Sequence, residues 1–235
     1  MNSIFRLSNR GLKTPEFIPS LTSVKTSYNY LNLLEFLSNQ LISHYMISAY
    51  DLYHYKDRVS NLNFVEPQKR STIFFMDSGA FEIYNNLNSK KWNNNLLIQT
   101  ALSFNPDVLV SLDYIRSENK VTVYKELENY QAVRKNLKDT NQFYSIVMHY
   151  TKTNQITRFL NHLDIDKKLF SICIPERNLG FSFSNRYQKL QEIIKVIRFD
   201  YGFDQLLIHL MGCSYPSSII NYSNLGVDLF DGIHW

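Results

Sequence analysis

Cysteine is scarce in this sequence, and its scarcity excludes several classes of protein. Cys173 and Cys213 are the only cysteines among 235 residues, and neither belongs to a CxxC motif or to a Cys/His pair at zinc spacing. A disulfide scaffold needs several cysteines, and a structural zinc site needs four ligands at short, regular intervals. The sequence therefore predicts neither a disulfide framework nor a zinc subdomain.

Long apolar runs and a strong net charge are also lacking. No run approaches the roughly 20 residues of a membrane span. The first residues, MNSIFRLSNRGLKTPEF, lack the apolar stretch and cleavage site of a signal peptide. We therefore expect a soluble, cytoplasmic protein with no membrane partner. The net charge of +4 is too small and too dispersed to identify a polyanionic partner.

What the sequence does contain is an alternation of short β-rich runs and longer helix-like stretches, which is typical of parallel βαβ units. Hydrophobic residues make up 44% of the chain, as in a folded globular protein. We predict eight strands, at 16–21, 45–50, 72–76, 108–112, 143–149, 169–174, 206–211 and 228–233. We predict six helices between them and a loop over 51–71; the helices are at 28–41, 94–104, 121–137, 153–164, 184–198 and 216–224.

Eight strands buried on both faces predict a closed (β/α)8 TIM barrel, formed by one domain over residues 1–235. An open, doubly wound sheet is the alternative, because periodicity does not distinguish an open parallel sheet from a closed one. The first predicted strand is not followed by a Gly-rich phosphate loop, which counts against the open sheet. Since the sequence stops at Trp235, directly beyond the eighth run, we expect the barrel to lack its final helix.

Carboxylate and imidazole side chains recur where the predicted strands end. In barrel enzymes the working residues lie at these carboxyl ends, where the βα loops form a shared mouth. The residues concerned are Asp51, Asp77, Asp113, His149, Glu176 and Asp231.

Alternation along the strands predicts which of these side chains point inward. Asp77 shares a face with Phe75, and Asp113 shares a face with Leu109 and Ser111. If both faces point inward, several carboxylates meet over the barrel axis. Carboxylates gathered in a partly dry mouth raise one another's pKa, which allows one to act as a nucleophile while another holds a proton.

Each of these positions also has a structural interpretation. A single Asp after a strand is more often a turn former or a helix N-cap, although repetition weakens that interpretation. Gly79 fits a strand-to-loop turn and would also let a ligand approach the backbone closely. His149 is more often a buried structural histidine than an acid or base, and His209 fits a packing role. Met211 is typical of a core, but together with Phe81 it could form an apolar slot for a flat base.

Five runs, in order along nearly the whole chain, resemble the guanine transglycosylase superfamily, which includes the queuine and archaeosine tRNA-ribosyltransferases. They are TPEFIPSLTSVKT at 14–26, FMDSGAF at 75–81, SLDY at 111–114, HLMG at 209–212 and GVDLFDGIHW at 226–235. The DSG-aromatic run and the final GVDLFD are specific only together. ICIPERN at 172–178 and the FDGIHW ending are more similar to the DNA-modifying branch, the DpdA-like enzymes that place 7-deazaguanines in DNA.

The resemblance implies a role for each matched residue. The second Asp of GVDLFD, Asp231, corresponds to the family nucleophile, and the Asp of DSG, Asp77, to its general acid/base. Asp113 in SLDY would contact the heterocycle. The remaining matched positions imply substrate binding, by a base sandwich or by polar contacts near it; they are Ser78, Phe81, Met211 and Gly212.

The chain also departs from the pattern of the tRNA enzymes. His149 stands where they carry a glutamine that reads the base, and IPER, with Glu176, replaces their Gly-rich base-binding loop. Their Cys-rich zinc subdomain is absent, which removes a main docking surface for tRNA. DNA is therefore the expected substrate and tRNA the less favoured one.

These residues imply base exchange by two carboxylates. A carboxylate at Asp231 would attack the anomeric carbon as guanine leaves, by the logic of a retaining glycosidase. Asp77 would protonate the guanine and then deprotonate an incoming 7-deazaguanine such as preQ0. A duplex hides the bond between the guanine and its sugar, so the nucleotide would have to be flipped out. No metal or nucleotide cofactor is implied.

Two other functions remain open at this point. One is a non-catalytic barrel subunit that binds nucleic acid or a partner enzyme, and the other is a small-molecule hydrolase or glycosidase that uses the same two carboxylates. A barrel without its final helix would leave apolar wall exposed beside its first and eighth strands. We therefore also expect a protein partner or a homo-oligomer.

Overall fold

A computed structural model describes residues 12–25, 29–39, 44–59, 73–85, 92–113 and 123–232. Eight parallel strands follow one another around a closed barrel, and the eighth pairs with the first in the register Phe17 to Phe230. The (β/α)8 prediction is therefore confirmed, and the open sheet is excluded. The strands are β1 (Glu16–Leu21), β2 (His44–Ser48), β3 (Ile73–Asp77), β4 (Val108–Val110), β5 (Phe143–Val147), β6 (Leu169–Pro175), β7 (Leu207–Met211) and β8 (Leu229–Gly232).

All six predicted helices form, and two more join them. The helices are α1 (Tyr30–Asn39), α2 (Ala49–Val59), α3 (Ala80–Asn85), α4 (Asn94–Phe104), α5 (Val123–Leu137), α6 (Thr153–His162), α7 (Phe183–Lys195) and α8 (Pro216–Asn224). A 3-10 turn, Glu176–Leu179, precedes α7, and a π-helical turn, Val196–Asp200, extends it.

The loop predicted over 51–71 is wrong in its first part, because α2 begins at Ala49 and runs to Val59. Its sequence, AYDLYHYKDRV, is rich in tyrosine and charge and lacks a clear apolar stripe. Burial of Ala49, Leu52 and Val59 against the barrel stabilises the helix instead. Tertiary packing thus overrides a weak local preference. Residues 60–71 lie outside the described ranges.

Side chains alternate between the barrel interior and the layer under the helices. Phe75 points inward and packs with Ile18, Met46 and Val108 in the lower part of the barrel. Its neighbour Phe74 points outward and joins the larger core between the sheet and the helices. Apolar burial on both faces explains the near-continuous hydrophobicity of the strands.

The predicted inward face of the fourth strand is wrong. β4 ends at Val110, and its inward side chains are Val108 and Val110, whereas Leu109 packs in the outer core. Alternation therefore does not carry Asp113 to the barrel axis. Asp113 reaches the mouth because the chain leaves the sheet after Val110. For β3 the prediction is confirmed, since Phe75 points inward and Asp77 lines the cavity above it.

The wall beside β1 and β8 is better covered than predicted. The outward side chain of β8, Phe230, is fully buried, and Leu21 of β1 is buried too. The expectation of exposed apolar wall is wrong at these two positions, and the partner or oligomer stays a prediction. The described chain ends at Gly232 within β8, so the expected lack of a final helix lies outside the described residues. No helix within the described ranges is long and apolar enough to cross a membrane.

Candidate active site

A cavity of about 310 Å³ opens at the mouth of the barrel, where the strands end and the βα loops begin. Its wall combines carboxylates with apolar side chains, as ligand sites commonly do. It brings together seven of the nine residues predicted to be catalytic or substrate-binding, namely Asp77, Phe81, Asp113, Glu176, Met211, Gly212 and Asp231. The other two, Ser78 and His149, lie behind this wall.

Asp231 lies on the inward face of β8, and three groups contact its carboxylate. The Ser20 hydroxyl donates a hydrogen bond to Oδ2 at 3.0 Å, and the Gly212 N–H donates to Oδ1 at 3.2 Å. Nε2 of His209 lies 3.1 Å from Oδ1, although the ring is not aligned for a good hydrogen bond. These contacts fix the orientation of the Asp231 carboxylate at the mouth.

Asp77, at the end of β3, has the opposite environment. It accepts one hydrogen bond from the Ser78 N–H at 2.7 Å. Burial raises its pKa well above the ordinary value, and the charges of Glu82, Asp113 and Asp231 raise it further, while the Ser78 bond lowers it only in part. The structure therefore favours the protonated form of Asp77, in the same cavity as the hydrogen-bonded carboxylate of Asp231.

Asp113 is held in place from behind the cavity wall. Ser78 Oγ donates to Asp113 Oδ1 at 2.9 Å, and Nε2 of His149 lies 3.6 Å from Oδ2. The Asn178 amide nitrogen lies 2.7 Å from Nδ1 of the same histidine and holds the ring in place. Ser78 and His149 therefore contact the cavity through Asp113.

Glu176 begins the 3-10 turn that follows β6, and its carboxylate is paired. Nη1 of Arg186 lies 3.1 Å from Oε1, and the Tyr222 hydroxyl donates to the same oxygen at 3.4 Å. Arg186 and the exposed Arg177 also line the cavity. This side of the mouth is therefore the one that carries cationic side chains.

Asp51 does not belong to the cavity wall, although it also follows a strand. It accepts hydrogen bonds from the backbone N–H and the hydroxyl of Ser23, at 2.8 and 2.5 Å. It thereby ties the first turn of α2 to the segment after β1. Its role is structural, as the alternative interpretation predicted, but it is neither a turn former nor an N-cap, since Ser48 Oγ accepts the Asp51 N–H at 3.4 Å.

Gly79 also has a packing explanation. Its φ of +79° lies in the left-handed region, and a Cβ built there would come within 2.6 Å of the Tyr50 Cβ. The space beside this glycine belongs to α2, so the close approach is made by Tyr50 and not by a ligand. The indole N–H of Trp92 donates to the Ser78 carbonyl at 3.0 Å and fixes the same turn.

Sequence reasoning missed Glu82, Ser20 and the contact made by His209. Glu82 lines the cavity, accepts a hydrogen bond from Ser48 Oγ at 2.7 Å, and has its pKa raised to about 7 by burial and by the charge of Asp51. The sequence feature that could have identified Glu82 is its place in the first helical turn after the DSG run. His209 was assigned to packing; it is indeed buried, but its position two residues before Met211 also brings it against Asp231.

The cavity has the composition of a site for general acid/base and nucleophilic chemistry. It joins an acid that favours its proton, a carboxylate held by donors, and further acceptors beside two apolar side chains. Among the described residues, no group of three or more His, Cys, Asp or Glu is arranged to hold a metal ion. Neither a protein-family model nor a curated protein sequence matches this chain.

Proposed function

We propose that this protein is a transglycosylase that exchanges guanine in DNA for a 7-deazaguanine base such as preQ0, through a covalent glycosyl-aspartate. The observation that carries the proposal is the meeting in one cavity of Asp77, whose pKa is raised, and Asp231, whose carboxylate accepts hydrogen bonds from Ser20 and Gly212. Two carboxyl groups whose environments separate their protonation states are the signature of a paired nucleophile and acid. The residue matches to the guanine transglycosylases supply the substrate class.

In the proposed reaction, Asp231 attacks C1′ of the nucleotide as the bond from C1′ to N9 of guanine breaks. Asp77 gives its proton to the leaving guanine and becomes a carboxylate. It then takes the N9 proton of the incoming 7-deazaguanine, whose N9 attacks C1′ and releases Asp231. Atoms and charge balance over the two halves, and each carboxyl group returns to its starting state.

Recognition of a purine is supported by the remaining wall of the cavity. Guanine carries hydrogen-bond donors on its Watson–Crick edge, and Asp113 supplies carboxylate oxygens fixed by Ser78. Phe81 and Met211 offer the apolar and polarisable surfaces that a flat ring stacks on. The cavity volume of about 310 Å³ is of the size that holds a small ligand.

A polymeric substrate is supported by the rim beside the cavity. Phe181, between β6 and α7, and Tyr215, between β7 and α8, expose large aromatic side chains to solvent. Arg177, on the same side, is exposed and lines the cavity. Aromatic side chains beside cations are the means by which proteins hold unstacked nucleotides. A hydrolase or glycosidase for a small free sugar would need no cationic rim, so Arg177 favours base exchange over that alternative.

Exchange of labelled guanine tests the proposal directly. Purified protein is incubated with radiolabelled guanine and either duplex DNA or total tRNA, and label is counted in each polymer. We expect incorporation into DNA that Asp231→Asn abolishes. Incorporation into tRNA alone would overturn the choice of DNA, and no incorporation or displacement in either polymer would favour the non-catalytic subunit.

A further inference from the structure

A line of polar side chains runs from Asp231 down into the barrel interior. His209 Nδ1 lies 3.7 Å from Cys173 Sγ, and that sulfur lies 3.6 Å from Ser171 Oγ. Ser171 Oγ is in turn 2.8 Å from Ser145 Oγ. The four residues below Asp231 are essentially inaccessible to solvent and come from the adjacent strands β5, β6 and β7.

This polar line is confined to one part of the interior. Around β1 to β4 the middle layer of inward side chains is apolar and includes Ile18, Met46, Phe75 and Val108, whereas polar side chains such as His44 lie at the strand ends. Branched and aromatic packing of that kind is the usual filling of a barrel. Because a buried polar group is costly unless it has partners, a chain of four such groups under one carboxylate indicates a purpose beyond filling space.

His209 is the member of the line that can carry charge. Its ring contacts two titratable groups, Cys173 from β6 and Asp231 from β8. Burial disfavours the imidazolium, but the contacts with Cys173 and Asp231 outweigh burial and raise the pKa of His209 to about 10. The ring places Nδ1 beside the sulfur and Nε2 beside the carboxylate.

We infer that His209 is a positioning residue: a buried imidazolium, held from below by Cys173, that pairs with Asp231 and fixes its carboxylate for attack. His209 does not line the cavity, so it acts on the reaction only through Asp231. The consequence for catalysis rests on the proposed function, whereas the ion pair itself does not.

The pairing answers an electrostatic problem of the mouth. Asp77, Asp113 and Glu82 line the same cavity as Asp231, and DNA brings further negative charge. Like charges in a partly dry site favour protonation, which would inactivate a nucleophile. A cation placed beneath Asp231, out of reach of solvent and substrate, offsets that repulsion without occupying the cavity.

NMR titration of the histidine side chains tests the ion pair without any substrate. The protein has six histidines, and the His209 signal is identified by its loss in His209→Gln. We expect His209 to stay protonated through pH 8 and Asp231→Asn to lower its titration midpoint by about one pH unit or more, the usual effect of removing a close opposite charge. A His209 that titrates near pH 6.5, or that ignores Asp231→Asn, would overturn the inference.

Base exchange then tests the consequence, with a matched control at the other end of the barrel. His44 is also buried, on the inward face of β2, and lies 3.5 Å from Glu16. We expect His209→Gln to lower the rate of adduct formation at least tenfold with little change in KM. The acid limb of its pH–rate profile should move to higher pH. His44→Gln should leave the rate and the pH profile unchanged. Equal effects of the two variants would contradict a positioning role.

The two proposals fail in different ways. If His209 and Asp231 titrate together but no base exchange occurs in any nucleic acid, the proposed function is wrong and the ion pair stands. If base exchange depends on Asp231 while His209 titrates independently of it, the function stands and the positioning role of His209 is wrong.

Discussion

The two ends of the barrel both contain buried carboxylates, but they differ in how these are paired. The mouth pairs Glu176 with Arg186 and places His209 beside Asp231, yet it gathers other carboxylates without such partners. At the amino end, Asp228 lies 2.7 Å from Arg198 Nη2 and accepts the Ile208 N–H at 2.8 Å, and Glu16 lies beside His44. At the mouth, Asp77 and Asp113 have no lysine or arginine partner among the described ion pairs.

That difference separates structural charge from functional charge. Charges that stabilise a fold are paired and hydrogen-bonded, because an unpaired buried charge is costly. The mouth instead gathers Asp77, Glu82, Asp113 and Asp231 around a cavity, and the pKa of Asp77 and that of Glu82 rise as a result of burial and neighbouring charge. An arrangement that costs stability at one end of the barrel alone indicates selection for chemistry there.

The largest effect on the reaction, apart from loss of the nucleophile, is expected from Asp77→Asn. Removing a general acid/base lowers base exchange by about 10²–10⁴-fold. Stability should be unchanged or slightly higher, because the substitution removes a carboxyl group from an acidic, buried setting. Rates at saturating labelled guanine and thermal melts of the same samples measure both quantities. A marked loss of stability would place Asp77 with the structural carboxylates.

The opposite result is expected for Asp228→Asn, at the amino end. Breaking its ion pair with Arg198 leaves a buried guanidinium and should lower the free energy of unfolding by about 3–5 kcal/mol. Activity per folded molecule should stay the same, since Asp228 does not line the cavity. Denaturant titration followed by assays below the unfolding transition separates the two effects. A folded but inactive variant would break the comparison between the two ends.

A smaller, pH-dependent effect is expected from Glu82→Gln. The folded-state pKa of about 7 lies above the unfolded value near 4.5, so the folded state holds more protons between these values and loses stability as pH rises through them. The variant should therefore be more stable than the parent by roughly 1–3 kcal/mol at pH 8 and equal to it near pH 4.5. Glu128→Gln, on the exposed face of α5, is the control and should show no such difference. A constant difference across this pH range would exclude the raised pKa as its cause.

The sequence predicted the parts of this molecule that depend on local pattern. Period-two alternation correctly placed Phe75 and Asp77 on the inward side of β3, and all eight strands were found within a few residues of their ends. Prediction failed where the outcome depended on where an element stops. β4 ends two residues before its predicted end, so Asp113 enters the mouth from a loop although Leu109, on its predicted face, points outward.

Contacts between distant residues were beyond local pattern. Nothing near His209 in the sequence indicates that Cys173 and Asp231 flank it, since the pairing depends on the register of β6, β7 and β8. The same holds for Ser20, which is 211 residues from the Asp231 that it contacts. For the glycine of the DSG run the sequence left a turn and a close ligand approach open, and the structure shows a left-handed turn against which α2 packs through Tyr50.

The most direct test of the account is to trap the covalent intermediate and locate it. Protein and guanine-containing DNA are mixed without the incoming base, denatured, and analysed by mass spectrometry after digestion of both partners. We predict a denaturant-stable glycosyl adduct on Asp231 that is absent in Asp231→Asn and present in Asp228→Asn under conditions where that variant is folded. An adduct that persists in Asp231→Asn, or that maps to another residue, would contradict the assignment of the nucleophile.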